Sequence, residues 1–184
     1  MTSQPEKAAR FLELHRPGDP LLMPNPWDVG SAKLLASLEF QALATTSGGF
    51  AATLGRLDGN VTRAEAIAHA TTIVAAVDLP VSADLENCFA DHPEGVAETV
   101  RFAVAAGLVG CSVEDWSGTE LYAGDLARER VAAAVEVAHA GDLHFVVTAR
   151  CENYLRNRPD LAATIARLQS FQEAGADVLY APGI

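Results

Sequence analysis

Val81-Ser-Ala-Asp-Leu-Glu-Asn87 sets a short apolar run against two acidic residues, and Val147-Thr-Ala-Arg-Cys-Glu-Asn153 runs in parallel to it later in the chain. The two match as A-x-x-E-N at an offset of 66 residues. In each copy a proline follows seven residues after the glutamate (Pro93, Pro159), then an acidic residue (Glu94, Asp160), then a helical pattern ending in Ala-Gly. Proline and an acidic side chain suit the first turn of a helix, and Gly107 and Gly175 suit the cap at its far end. The offset has room for two β–α units, so the chain reuses one unit as barrels and solenoids do. Chance is the alternative, because Ala, Glu and Asn are ordinary residues.

Working outward, six short apolar runs read as strands: Leu21–Pro24, Ala42–Thr46, Val81–Leu85, Gly110–Val113, Phe145–Ala149 and Val178–Ala181. Amphipathic stretches lie between them. Leu161, Ile165, Leu168 and Phe171 give one apolar face at helical spacing, and Val96, Val100, Ala103 and Val104 give another. Repeated β–α alternation predicts a parallel sheet covered by helices. A closed barrel needs eight units and typically ~250 residues. The expectation is therefore one α/β domain over residues 1–184, a parallel TIM-type (β/α) barrel with six of its eight units and without the last two. The alternative is an open doubly wound parallel sheet, recognisable by a first strand that lies mid-sheet.

The bulk composition narrows the function. The chain has 184 residues, 49% of them hydrophobic, which suits one domain with a real core. A formal net charge of −11 and a pI near 4.7 argue against nucleic acid and anionic membranes as partners. Cys88, Cys111 and Cys151 show neither zinc-type nor redox-type spacing, and an odd count fits a reducing cytoplasm better than a disulfide framework. The first 13 residues lack the pattern of a secretory signal, and no apolar run approaches the ~18–20 residues of a membrane span.

Polar residues follow the apolar core of nearly every strand: Asn25 and Asp28; Thr45, Thr46 and Ser47; Asp84 and Glu86; Glu114 and Asp115; Arg150 and Glu152. The carboxyl ends of parallel strands converge on one face, where sites are built. Asp84 and Glu86 point the same way if the strand continues through them, and Glu114 ends the next strand. Three carboxylates held together repel one another, and a hard cation such as Mg2+ removes that conflict; otherwise Asp84 and Glu86 cap a helix or face solvent. The backbone N–H groups of Ser47-Gly48-Gly49 can hold a carboxylate or an oxyanion, or form a plain turn. Arg150 can bind a carboxylate through two hydrogen bonds, or pair with a nearby glutamate. Asp58 looks like a turn residue. None of the five histidines is spaced with another as a metal pair, and His69 and His139 look like surface positions on helices. Trp27 and Trp116 fall in βα loops.

The segments Met23-Pro-Asn-Pro-Trp-Asp28, Ala44-Thr-Thr-Ser-Gly-Gly49, Val81–Glu86, Ser112-Val-Glu-Asp115, Thr148-Ala-Arg-Cys-Glu152 and Gly175–Gly183 together resemble the isocitrate lyase/phosphoenolpyruvate mutase superfamily, in order and over essentially the whole chain. The resemblance implies a lyase-type enzyme, a homo-oligomer, with Mg2+ (or Mn2+ in its stead) as cofactor and a small anionic 2-oxo acid or dicarboxylate as substrate. It places metal binding on Asp84, Glu86 and Glu114, substrate binding on Thr45, Ser47, Gly48, Gly49 and Arg150, and catalysis on Asp58 and Arg150. Three departures qualify it. The family's C–C lyases carry a Lys-Lys/Arg-Cys-Gly-His loop after the strand-four glutamate, whereas Trp116–Leu126 has no Cys, Lys or His. The Lys and Asn of the P–C bond enzymes are missing there too, so phosphonopyruvate-type chemistry is the weaker alternative, beside a degenerate binding member. Cys88-Phe89-Ala90 stands where the family has Gly-aromatic-Gly, which predicts a stiffer loop. The family's chains also run on through two more units and a helix exchanged between subunits. C–C bond cleavage and oxaloacetate-type decarboxylation both fit such a lyase, and the decarboxylation is one option that does not demand the missing cysteine.

Overall fold

The computed structural model describes residues 2–184. Helix α1 (Gln4–Leu14) and helix α2 (Val29–Ser37) precede strand β1 (Leu43–Ala44), and a short α3 (Ser47–Thr53) and α4 (Arg63–Ala76) lead to β2 (Val81–Asp84). Then α5 (Pro93–Ala105), β3 (Gly110–Glu114), α6 (Gly124–Ala138), β4 (Val146–Arg150), α7 (Leu161–Glu173) and β5 (Val178–Tyr180) alternate. All neighbouring strands pair in parallel, in the order β1-β2-β3-β4-β5. With β1 at an edge and the order sequential, the sheet is a curled half-barrel of the TIM type, and the doubly wound alternative is set aside. No helix among the described residues is long and apolar enough to cross a membrane.

The strand count differs from the expected six. Leu21–Pro24 is extended but lies outside the ladder. Pro20, Pro24 and Pro26 have no N–H to donate, so the link of this segment to β1 is reduced to the Ala44 N–H on the Pro24 carbonyl (3.1 Å) and the Asn25 side chain on the Ala44 carbonyl (3.1 Å).

Helix ends follow local chemistry. Gly107 and Gly175 take φ of +86° and +97° just past α5 and α7, and behind Gly107 the Leu108 N–H reaches the Ala103 carbonyl at 3.3 Å. Pro93 is the first residue of α5 as expected, whereas Pro159 precedes the cap of α7. There Asp160 itself caps, accepting from the Ala163 N–H at 2.9 Å. The apolar face expected on α7 is rotated. Phe171 and Thr164 are buried, while Leu161 and Ile165 are exposed, and on the buried side the Asn153 amide donates to the Thr164 hydroxyl at 2.7 Å. On α5, Val96, Val100 and Ala103 are fully buried against β2 and β3, as their spacing requires.

Candidate active site

Register turns the strand ends into rows. Asp84 pairs with Ser112, and Ser112 with Thr148; two residues further on, Glu114 pairs with Arg150, and Arg150 with Tyr180. Residues two apart on a strand share a face, so Asp84, Ser112, Thr148, Glu114, Arg150 and Tyr180 all face one cavity of about 530 Å³. Asp58, Asp84, Glu114 and Glu152 bring four carboxylates to it, against the guanidiniums of Arg150 and Arg156, a formal balance of −2.

Arg150 is the centre of this arrangement. Its Nη1 lies 3.1 Å from Glu114 and 3.7 Å from Asp84, and its Nη2 lies 2.7 Å from Glu152. Burial opposes its charge, but Glu114, Asp84 and Glu152 together hold the guanidinium above its usual value. Arg156, one helical turn beyond Glu152, pairs with it at 3.1 Å and lies over the Trp116 ring at 4.6 Å. Burial pushes the Glu114 carboxyl up to about 8, against the pull of Arg150 and with the push of Asp84 and Glu152.

Glu86 departs from the expected direction. The strand ends at Asp84, and Glu86 adopts φ +52°, with Cys88 and Phe89 also left-handed at +58° and +56°. Its side chain therefore leaves the row and lines an adjoining cavity of about 300 Å³ with Asn87 and Trp116. The two cavities share Ser47, Asp58, Glu114 and Arg156. Burial first, then the charges of Asp58 and Asp84, push the Glu86 carboxyl up to about 7. Three non-glycine residues in a left-handed loop are strained, and the surroundings hold them. The buried Arg130 donates to the carbonyls of Asn87 and Ala90, and the Thr99 hydroxyl to that of Cys88. The Cys88-Phe89-Ala90 segment is tied down by these donors.

The Ser47 loop is already engaged with the acidic row. The Ser47 N–H and hydroxyl both donate to Asp84 Oδ2, at 3.2 and 3.0 Å, and the Ser112 hydroxyl donates to Oδ1 at 3.3 Å. Thr45 is buried and accepts from the Asp84 N–H (3.0 Å), so it positions the aspartate. The Gly49 N–H donates to the capping Thr46 hydroxyl at 3.2 Å, and a Cβ at Gly49 would sit 2.5 Å from the Thr46 methyl. Asp58, exposed in its turn, stands against Gly48: a Cβ there would lie 3.5 Å from its carboxyl carbon.

Asp84, Glu114 and Arg150 thus come together, with Ser47, Gly48 and Asp58 along the rim and Glu86 one cavity away. The oxygens of Asp84, Glu86 and Glu114 do not all lie within 4.8 Å of one another. Sequence reasoning missed Arg156 and Arg130, which sit in a loop and a helix without a motif. It also undervalued Glu152, fully buried under both guanidiniums. His69 is no plain surface residue either: it stacks on Phe50 at 3.9 Å and contacts the Trp27 carbonyl at 2.9 Å. Trp116 lines the smaller cavity, whereas Trp27 is exposed.

The model of the family described as phosphoenolpyruvate phosphomutase matches residues 11–184. A crystal structure from Burkholderia cenocepacia J2315, described as a lyase/mutase, aligns with a TM-score of 0.95 at 55% identity, covering 98% of this chain and 66% of that one. An uncharacterized Mycobacterium tuberculosis protein is 34% identical over 174 residues, which are 94% of this chain and 64% of that protein. The 2,3-dimethylmalate lyase of Eubacterium barkeri is 29% identical, over 94% of this chain and 62% of the lyase. The chain spans less than two thirds of the length of the curated relatives it matches.

Proposed function

This chain belongs to the phosphoenolpyruvate phosphomutase family, and from that premise we propose that it acts as a Mg2+-dependent lyase on a small 2-oxo acid or dicarboxylate, by way of a pyruvate-type enolate. Oxaloacetate-type decarboxylation is the reaction best matched. What carries this reading is Arg150, a buried guanidinium planted among Asp84, Glu114 and Glu152 at the carboxyl end of β4.

The donor set fits a hard divalent cation. All of its oxygens are carboxylate, the cavity balance is negative, and burial leaves Glu86 and Glu114 pushed up to about 7 and about 8. Asp84, Glu86 and Glu114 would hold Mg2+, largely through waters, and the ion when bound supplies Lewis-acid polarisation of the substrate carbonyl. Arg150 then turns its Nη1 edge from Glu114 to the substrate carboxylate. On the other side of that carboxylate the Ser47 N–H and hydroxyl would exchange Asp84 Oδ2 for the substrate, while the Gly49 N–H stays on Thr46. Breaking the C–C bond next to the departing carboxylate releases CO2 and leaves its electron pair on the enolate. Asp58, at the rim shared by both cavities, would orient a water that gives the enolate carbon its proton, with hydroxide returning to solvent. The loop after β3 folds back on itself through the Trp116–Leu121 bridge and carries no Cys, Lys or His to assist an aldol-type cleavage or a P–C step.

The same reading takes residues 1–184 as the site-bearing part of one barrel domain, working as a cytoplasmic homo-oligomer; the three free cysteines support the reducing compartment. The test is oxaloacetate turnover with Mg2+ or with EDTA, for the intact chain and for Asp84→Ala. Loss on the order of 100-fold or more is expected from either EDTA or the substitution. Undiminished turnover by Asp84→Ala in EDTA refutes the metal-dependent mechanism.

A further inference from the structure

The opposite end of the sheet carries a second set of ligand-type side chains. His139 closes α6, His144 lies in the connection to β4, and Asp177 stands just before β5. Their ligand atoms all lie within 4.8 Å of one another, a closeness that no other group of three or more His, Cys, Asp or Glu among the described residues reaches. His139 Nε2 is 3.1 Å from Asp177 Oδ2, and His144 Nε2 is 2.7 Å from Oδ1. The two rings lie 4.3 Å apart and within 31° of parallel.

Asp177 is held by the backbone of β4 as well as by the histidines. Its Oδ2 accepts from the Val147 N–H at 2.8 Å, and its own N–H donates to the Val147 carbonyl at 3.1 Å. Two imidazoles thus present the same nitrogen to one carboxylate that the Val147 N–H already holds in place. Two neutral imidazoles and one carboxylate are the donor set of a borderline cation, Zn2+ foremost, and differ in kind from the all-oxygen set at the other end. Bonds of ~2.0–2.1 Å in a tetrahedron put donors roughly 3.4 Å apart. The 2.7 Å contact of His144 must therefore open by about 0.7 Å and the 3.1 Å contact of His139 by about 0.3 Å; the larger movement falls on the half-exposed His144. The Val147 N–H orients the carboxylate from behind, as outer hydrogen bonds do in metal sites.

We propose that His139, His144 and Asp177 form a Zn2+ site, completed by water, that staples the end of α6 and its connection to the start of β5. It lies at the amino ends of the strands, where barrel residues serve stability rather than chemistry. Sequence spacing hides it, because the residues between His139 and His144 turn the chain back on itself.

The experiment titrates Zn2+, and separately Co2+, into the tag-free full chain with Mg2+ in excess. Calorimetry, the visible Co2+ spectrum and the thermal midpoint are read together. One equivalent should bind, with an intense tetrahedral-type Co2+ band and a raised midpoint. His144→Gln should weaken binding at least ~100-fold and erase the band with the fold intact by circular dichroism, and Asp84→Ala should leave both unchanged. The proposal falls if the intact chain gives no such band, if His144→Gln binds Zn2+ as tightly, or if Asp84→Ala rather than His144→Gln removes the equivalent.

Discussion

Glu86 and Glu152 occupy the same place in the two copies of A-x-x-E-N, and their fates are opposite. Glu152 is fully buried and bracketed by Arg150 and Arg156 at 2.7 and 3.1 Å. Glu86 is half-buried, left-handed, and faces the charges of Asp58 and Asp84. The residue two positions earlier decides the difference: Asp84 in one copy, Arg150 in the other. An arginine there closes its neighbouring glutamate into a stable ion pair. An aspartate there leaves its glutamate seeking a cation. One β–α template thus yields a built-in positive charge at one strand end and a demand for positive charge at another.

Removing the positive charge is the strongest way to break this contrast. Arg150→Ala leaves the fully buried Glu152 without its nearer partner and frees Glu114 to face Asp84. Such a loss of one partner from a buried pair destabilises by about 3–5 kcal/mol. Urea denaturation should show it, together with loss of turnover. A change under about 1 kcal/mol would mean that Arg156 alone neutralises Glu152.

The glutamates themselves sharpen it next. Glu152→Gln strips a charge from a satisfied pair and should cost about 1–3 kcal/mol. Glu86→Gln in EDTA should do the reverse, stabilising by about 1 kcal/mol at alkaline pH after allowance for solvent screening. The pH dependence follows with its sign. Glu86 and Glu114 titrate near 7 and 8 in the folded chain against an ordinary 4.5. Their contribution to stability is full below 4.5 and is lost as pH rises through about 7 and about 8. Metal-free protein should therefore melt progressively lower over that window, and Mg2+ should restore more at its alkaline end than at its acid end. A melting temperature in EDTA that rises across the window would show that neither carboxyl is raised.

Asp84, Glu114 and Arg150 were legible in the sequence because each ends a short apolar run, and parallel strands deliver their carboxyl ends to one face. Glu86 was legible as a residue but not as a direction: alternation assumes continuing strand, and φ +52° breaks it. Leu21–Pro24 looked like a strand by its apolar content, but its prolines remove the donors that a ladder requires. The α7 face failed for a related reason, since its buried side includes Thr164, whose partner Asn153 is invisible to hydrophobic periodicity. Arg130 gave no signal at all. A buried arginine on an Ala/Val-rich helix is recognised only once the loop carbonyls it holds have been folded over it.

Arg156 is the subtlest probe, because it belongs to the comparison without belonging to the repeat. Trp116 supports its guanidinium from one face, and it borders both cavities. In the second copy it is the reserve partner of Glu152; in the first copy nothing equivalent reaches Glu86. Arg156→Lys keeps the charge but loses the planar fork and most of the ring contact. Stability should shift by less than about 1 kcal/mol. If Arg156 also meets the far carboxylate of a dicarboxylate, KM should rise roughly tenfold, equivalent to about 1.4 kcal/mol, with kcat nearly unchanged. A fall in kcat at constant KM would instead place Arg156 with the reacting atoms. Unchanged kinetics would confine it to the support of Glu152, and the template would then need only one arginine to silence its glutamate.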